Sequence, residues 1–211
     1  MWVWERPDDL RFLEPGEARV AVLIGTLRLQ GDQVRAQPRA WPLHVTPGTP
    51  VTAVVRIEAR PDADLGPGQR ALTVDWIEEL AARPAFEGLQ LDFDAALSQR
   101  EFYRELLADL RPRFARLSIT ALASWCFERD WLGELPVDEV VPMLFRMGPQ
   151  GGGYLRRLEA EGVFPDPTCR GSVGISTDEP LRWRPKAQRL YIFHPRSWTS
   201  SDWRAVLASL D

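Results

Sequence analysis

Lysine is almost missing from this chain: Lys186 is the only one among 26 basic residues, so the positive charge is nearly all arginine. Arginine suits bidentate anion contacts, although a skewed base composition accounts for such a bias just as simply. Histidine is limited to His44 and His194, and cysteine to Cys126 and Cys169. With no Cys/His cluster, no structural zinc site is expected. Two cysteines do not make a disulfide scaffold. Cys126 follows the fifth strand assigned below and Cys169 precedes the seventh, which predicts free thiols at opposite ends of the fold. No apolar run approaches the roughly 20 residues of a membrane span. The opening MWVWERPDDLRF lacks a basic stretch followed by an apolar one, so no signal peptide is expected. That predicts a cytoplasmic chain as written, or an envelope or secreted one if a leader stands ahead of it. Neither GxGxxG nor GxxxxGK[ST] follows any strand, which removes the main support for nucleotide binding, and no cofactor is expected. The net charge of -4 and a pI near 5.4 argue against nucleic acid.

What is present is an ordinary globular mixture, 45% apolar over 211 residues, which predicts one domain over residues 1–211. Nine tryptophans are many for this length, and 18 prolines keep the elements short. Strand-like runs alternate with short helical ones. The strands are Trp2 to Glu5, Arg19 to Leu27, Val51 to Glu58, Gly88 to Phe93, Arg116 to Ala121, Val140 to Phe145, Gly171 to Ser176 and Arg189 to Phe193. After the first strand a stub of helix is expected around Asp8 to Leu13. After the second, Gly31-Asp32 between two alternating segments reads as a hairpin. The spacing of Leu72, Trp76, Ile77 and Leu80 predicts a helix stopped by Pro84. Ser98 with Glu101 reads as a capping box for the next helix. A turn of helix is expected near Phe127 to Leu132, and Ser200 or Ser201 caps the last helix. Eight strands with intervening crossovers predict a compact α/β fold, a (β/α)8 barrel with shortened helices and a β-hairpin insertion after the second strand, with an open doubly wound sheet as the alternative.

The fourth strand carries the chemistry. In GLQLDFDA, Leu89, Leu91 and Phe93 form one set of alternate side chains, and Gln90, Asp92 and Asp94 form the other. The apolar set must face the helices, so the polar set lines the barrel interior or its mouth. Two neighbouring carboxylates are costly to bury unless they pair, share a proton or reach water. The other strand ends bring Glu5, Arg6, Glu58, Arg60, Thr120, Ser124, Trp125, Met143, Phe145, Arg146, Thr177, Asp178, Glu179, His194, Arg196 and Trp198 to the same rim, with Trp4 on the first strand. Carboxylates, arginines and indoles around one mouth suit a carbohydrate, because indoles stack on sugar faces and carboxylates bond hydroxyls. Asp138-Glu139 precedes the sixth strand and falls at the other end, as a structural pair.

The runs LQLDFDAALSQREFYRELLADLR, LSITALASWC, LPVDEVVPMLFRMG, CRGSVGISTDE and YIFHPRSW, which span nearly the whole chain, resemble a bacterial family catalogued as domain of unknown function 3142. That resemblance implies a barrel related to glycoside hydrolases and assigns no reaction. EGLQLDFD more distantly resembles the fourth-strand motif DGxDxDxE of chitinase-type glycoside hydrolases. It implies that Asp94 stands at the position of the acid glutamate, with Asp92 before it and Gln90 replacing an aspartate. The Met-x-Tyr-Asp pattern of those enzymes reads Met143, Leu144, Phe145, Arg146 here, so the tyrosine hydroxyl and carboxylate that support an acetamido group are replaced.

Two readings follow. In one the chain is a glycosidase, with Asp94 as general acid, Asp92 orienting it, and Glu5, Glu58, Asp178 or Glu179 as base or nucleophile. In the other the mouth keeps a carbohydrate ligand and has lost the chemistry. The substrate-binding set is then Gln90, Trp4, Arg6, Glu58, Thr120, Trp125, Met143, Phe145, Arg146, His194 and Trp198.

Overall fold

A computed structural model describes residues 1–82, 86–128 and 131–210. The strands, in chain order, are β1 (Trp2–Val3), β2 (Asp8–Leu10), β3 (Val20–Gln30), β4 (Gln33–Pro38), β5 (Leu43–Val45), β6 (Val51–Ala59), β7 (Leu89–Asp92), β8 (Leu117–Leu122), β9 (Glu139–Met143), β10 (Ser172–Ser176) and β11 (Arg189–Phe193). The helices are α1 (Pro67–Ala81), α2 (Arg100–Leu110), α3 (Gly151–Glu161) and α4 (Ser200–Leu210). Strands β1, β3, β6, β7, β8, β9, β10 and β11 pair in that order, all parallel, into a nearly closed barrel-like sheet. All eight predicted strands take part.

The hairpin after the second strand is present: β4 pairs antiparallel with β3, and Gly31 makes the turn at φ 51°, a left-handed conformation that glycine adopts without a Cβ penalty. Strands β11 and β1 meet at the seam without a ladder. Side chains stitch it instead: Trp198 Nε1 donates to the Trp2 carbonyl at 2.9 Å, and Arg6 Nη1 to the His194 carbonyl at 3.1 Å.

Several local expectations are corrected. Asp8 to Leu13 does not form a helical stub. Asp8–Leu10 is a strand paired parallel with β5, because Asp8 and Leu10 point inward while Asp9 points out to Arg11. Burial raises the Asp8 carboxyl from its ordinary value, opposed by the Trp198 N–H and by Arg39. In α1 the buried face is Gln69, Thr73, Val74 and Ile77, and Leu72 is 45% exposed. The predicted helix is present, with Ile77 of its apolar stripe buried and Trp76 and Leu80 packed against the core; Gln69 also turns inward, and its amide donates to the carbonyls of Gly31 and Gln33 at 3.0 and 2.8 Å, tying helix to hairpin. Pro84 lies outside the described residues. A 3-10 turn at Leu97–Gln99 precedes α2, and Gln99 rather than Glu101 reaches back to the Ala96 N–H at 2.8 Å. Between β8 and β9 the chain makes 3-10 turns at Ala123–Phe127 and Leu132–Glu134, and the predicted turn between them includes residues 129–130, outside the described ones. Thr199, not Ser200 or Ser201, caps α4: its hydroxyl accepts from the Asp202 N–H, and Asp202 accepts from the Thr199 N–H.

Leu89, Leu91 and Phe93 pack outward against Phe102, Leu106 and neighbours of α2, as the alternation requires. The interior holds Trp2, Ala21, Leu23, Val54, Val141, Phe145 and Phe193. Gly174 is glycine for a steric reason. A Cβ there would lie 2.6 Å from the Trp2 ring, which crosses over β10.

The free-thiol expectation is overturned: Cys126 and Cys169 form a disulfide, with Cα atoms 5.9 Å apart. Strand order alone set them at opposite ends. The 3-10 turn that carries Cys126 instead runs on to the segment before β10, where the Asp166 N–H donates to the Cys126 carbonyl at 3.2 Å. Disulfides persist in oxidising compartments. Protein denatured without reductant should therefore show no titratable thiol, and two would contradict the bond. Opening this 43-residue link should cost on the order of 4 kcal/mol in chemical denaturation. Gly174→Ala should lower stability by roughly 1–3 kcal/mol by displacing Trp2.

Candidate active site

Three polar layers stack along the barrel axis. At the N-terminal ends of the strands, Glu139 accepts from Ser172, from Tyr191 OH at 2.9 Å and from Arg189 at 2.7 Å. Asp138 beside it pairs with Arg111 and accepts from the Leu117 N–H. One layer up, fully buried Gln90 accepts from Trp2 Nε1 at 2.7 Å and donates to Ser118 Oγ at 3.3 Å. The polar residue two places before Asp92 is thus consumed inside the barrel.

Two residues further along β7 comes the working layer. Asp92 is 6% exposed. Its Oδ1 accepts from Thr120 Oγ1 at 2.7 Å, and Arg56 Nη1 stands 3.6 Å from its Oδ2. Register explains this: Arg56 on β6 is level with Asp92, and Thr120 on β8 is one step past Ile119, which is level with Leu91. Burial pushes the Asp92 carboxyl up to about 6, against the Thr120 hydrogen bond, with further raising by Asp94 and Glu58 and lowering by Arg56. Asp94 lies beyond the strand end and is exposed. Its surroundings raise it, and Arg56 opposes that rise. Solvent reaches Asp94 and screens it, so Asp92 is the stronger proton holder of the two.

Above this layer opens a cavity of about 280 Å³. Asp92, Asp94, Arg56 and Thr120 line one part, and Trp2, Trp4, Met143, Phe145, Phe193, Arg146 and Tyr154 line most of the rest. Phe145 and Phe193 stack at 5.5 Å and 10°, and Trp4 meets Phe193 edge-on at 6.0 Å. Arg146 sits at φ 52°, a left-handed conformation that costs a non-glycine residue about 1 kcal/mol. Its N–H donates to Glu179 at 3.0 Å and its guanidinium lies 4.8 Å from the Phe193 ring centre. Two larger cavities exist. One of about 630 Å³ lies at the N-terminal ends of the strands, and one of about 790 Å³ lies beside α4.

The structure gathers Trp4, Asp92, Asp94, Thr120, Met143, Phe145 and Arg146 around the mouth. Glu58 lines an adjoining depression with Arg56, Asp92 and Asp94, paired to Arg28 and Arg56 at 3.1 Å each. Arg6 lies behind Phe193, 5.8 Å from its centre, and donates to backbone carbonyls. Trp125 is buried against Trp131 in the outer core. Trp198 is buried at the seam, its ring tilted against that of His194 with centres 4.8 Å apart. His194 lines the cavity beside α4; its Nδ1 lies 2.6 Å from Thr177 Oγ1, and burial lowers its pKa. Glu5 accepts from the Ala40 N–H, Asp178 from Ser176, and Glu179 from Arg146. Among the described residues, the only carboxylates lining the mouth are Asp92 and Asp94, and no group of acidic, His or Cys side chains has metal-site geometry.

Sequence reasoning missed Trp2, Arg56, Phe193 and Tyr154. Arg56 carried a signal: in VTAVVRIE, Val54, Arg56 and Glu58 alternate with Ala53, Val55 and Ile57, the pattern that placed Asp92. Tyr154, on α3, carried none.

Comparison with family models, curated proteins and solved structures gave no significant match. No helix is long and apolar enough to cross a membrane among the described residues.

Because the folded Asp92 carboxyl is raised above its ordinary value of 3.8 to about 6, it costs nothing below the ordinary value and its full penalty is present above the raised one. Asp92→Asn should therefore be more stable than the parent near pH 8, by on the order of 2 kcal/mol, with the gain vanishing near pH 4. Equal stability of the two proteins at every pH would show Asp92 unperturbed. Thr120→Val should raise the Asp92 titration further, followed by the carboxyl carbon resonance.

Proposed function

We propose that the chain is a glycoside hydrolase-like (β/α)8 barrel whose C-terminal mouth binds a carbohydrate. Barrels of that architecture carry their sites at this face, and β11 beside β1 supports reading the sheet as such a barrel. The supporting observation is the mouth itself. An aromatic wall of Trp4, Phe145 and Phe193 faces a hydrogen-bonding wall of Asp92, Asp94, Arg56 and Thr120. Aromatic faces stack on the apolar faces of sugars while carboxylates accept hydrogen bonds from their hydroxyls. The resemblances to domain of unknown function 3142 and to chitinase-type enzymes point the same way.

Binding is favoured over hydrolysis by one feature. Glycosidases that use two carboxyls set them on either side of the scissile bond. Here the two that line the cavity, among the described residues, come from one strand segment, and one of them is held by Arg56. A second reading, hydrolysis, is favoured by buried Asp92, whose pKa of about 6 suits a general acid. That reading moves the acid from Asp94 to Asp92, the carboxyl with the lower exposure.

Calorimetric titration with a panel of oligosaccharides tests the proposal. The expected result is binding without turnover, weakened roughly tenfold by Trp4→Ala. Turnover that disappears in Asp92→Asn selects the second reading. Absence of any glycan binding contradicts both.

A further inference from the structure

The mouth is electrically divided. Asp92 and Asp94 belong to β7 and the loop after it. Phe193 belongs to β11, four places away in the order of eight parallel strands, and so across the barrel. Arg146 follows β9, yet its guanidinium rests 4.8 Å from the centre of the Phe193 ring, on the far side from the acids.

The arginines near this cavity are not equivalent. Arg56 is engaged by Glu58 and Asp92. Arg6 donates to the carbonyls of His194 and Arg196. Arg146 makes no salt bridge among the described residues, although it lines the cavity. Two acids adjoin it without pairing to its guanidinium. Glu179 accepts the Arg146 backbone N–H, and Asp178 accepts from the Ser176 hydroxyl while feeling the Arg146 charge. The side chain is also positioned: the backbone is held left-handed at φ 52° by the Glu179 bond, and the guanidinium is laid on an aromatic ring. Backbone strain of this kind persists where surrounding structure enforces it, and it clusters at ligand clamps. A guanidinium stacked on a ring keeps its N–H donors free at its edge, in the planar fork that matches a carboxylate.

We propose that the mouth selects a uronic acid unit, with Arg146 clamping the sugar carboxylate through paired N–H donors while the ring lies along Trp4. The inference rests on the carbohydrate-binding reading above and deepens it. Charge sets the orientation. The ligand carboxylate is repelled by Asp94 on the β7 side and drawn to Arg146, which leaves a hydroxyl edge facing Asp92.

The test is calorimetry on the full chain with oligogalacturonate, oligoalginate and hyaluronan fragments, against carboxyl-reduced oligogalacturonate and cello- and chito-oligosaccharides. At least one uronate oligomer should bind on the order of tenfold more tightly than the neutral sugars. Arg146→Asn, chosen because asparagine tolerates the left-handed backbone, should remove that preference, read as the ratio of uronate to neutral-sugar affinity, and leave the circular dichroism spectrum unchanged. Arg146→Lys, which keeps the charge and loses the fork, should retain only part of it. Neutral sugars binding as tightly as uronates, or an unchanged preference in Arg146→Asn, overturns this inference and leaves the carbohydrate reading standing. No binding by any member of the panel overturns both.

Discussion

The hydrogen bond from the Trp2 indole N–H to the Gln90 carboxamide, 2.7 Å long and fully enclosed, is the contact on which the rest of the barrel interior depends. A buried amide without partners would cost a few kcal/mol. Trp2 satisfies it and at the same time fills the axis, lying against Gly174, Tyr191 and Phe145. It also joins the first strand of the sheet to the last, since the Trp2 carbonyl accepts from Trp198 across the seam. A barrel-like sheet whose edge strands share no ladder is thus closed by side chains. The Trp2 plug is also the floor of the mouth, because Asp92 and Thr120 sit one layer above Gln90 and Ser118 on the same strands.

That layering explains how two residues of the same polar set acquire different characters. Gln90 is sealed beneath the indole and serves the core. Asp92 is nearly as buried yet has a hydroxyl donor and a distant guanidinium instead of full pairing, so it holds its proton to about pH 6. Asp94, past the strand end, meets solvent. A gradient of burial along one strand, set by where Trp2 stops, thereby yields a structural amide, a titratable acid and an exposed carboxylate within five residues, Gln90 to Asp94.

The sheet was legible in the sequence because period-two alternation is a local signal. GLQLDF placed its apolar set against α2 and its polar set inside, and RLQGDQ announced its hairpin. Features that depend on long-range contact were not legible. Asp8 is strand because Arg39 and Trp198 meet it from far along the chain. The Cys126–Cys169 bond depends on a loop path that strand order does not specify. Of the rim residues, those one strand position from the mouth were found, whereas Trp125 and Trp198 turned into the core. After a strand ends, alternation no longer says which way a side chain points.

A sugar in the mouth would sit between the β7 carboxylates and the aromatic side formed by Trp4. A crystal of the protein soaked with the tightest-binding oligosaccharide tests it most directly. The expected result is a pyranose ring against Trp4, with a hydroxyl within hydrogen-bonding distance of Asp92. A ligand seated in the cavity beside α4 or at the N-terminal ends of the strands, with the mouth empty, would contradict it.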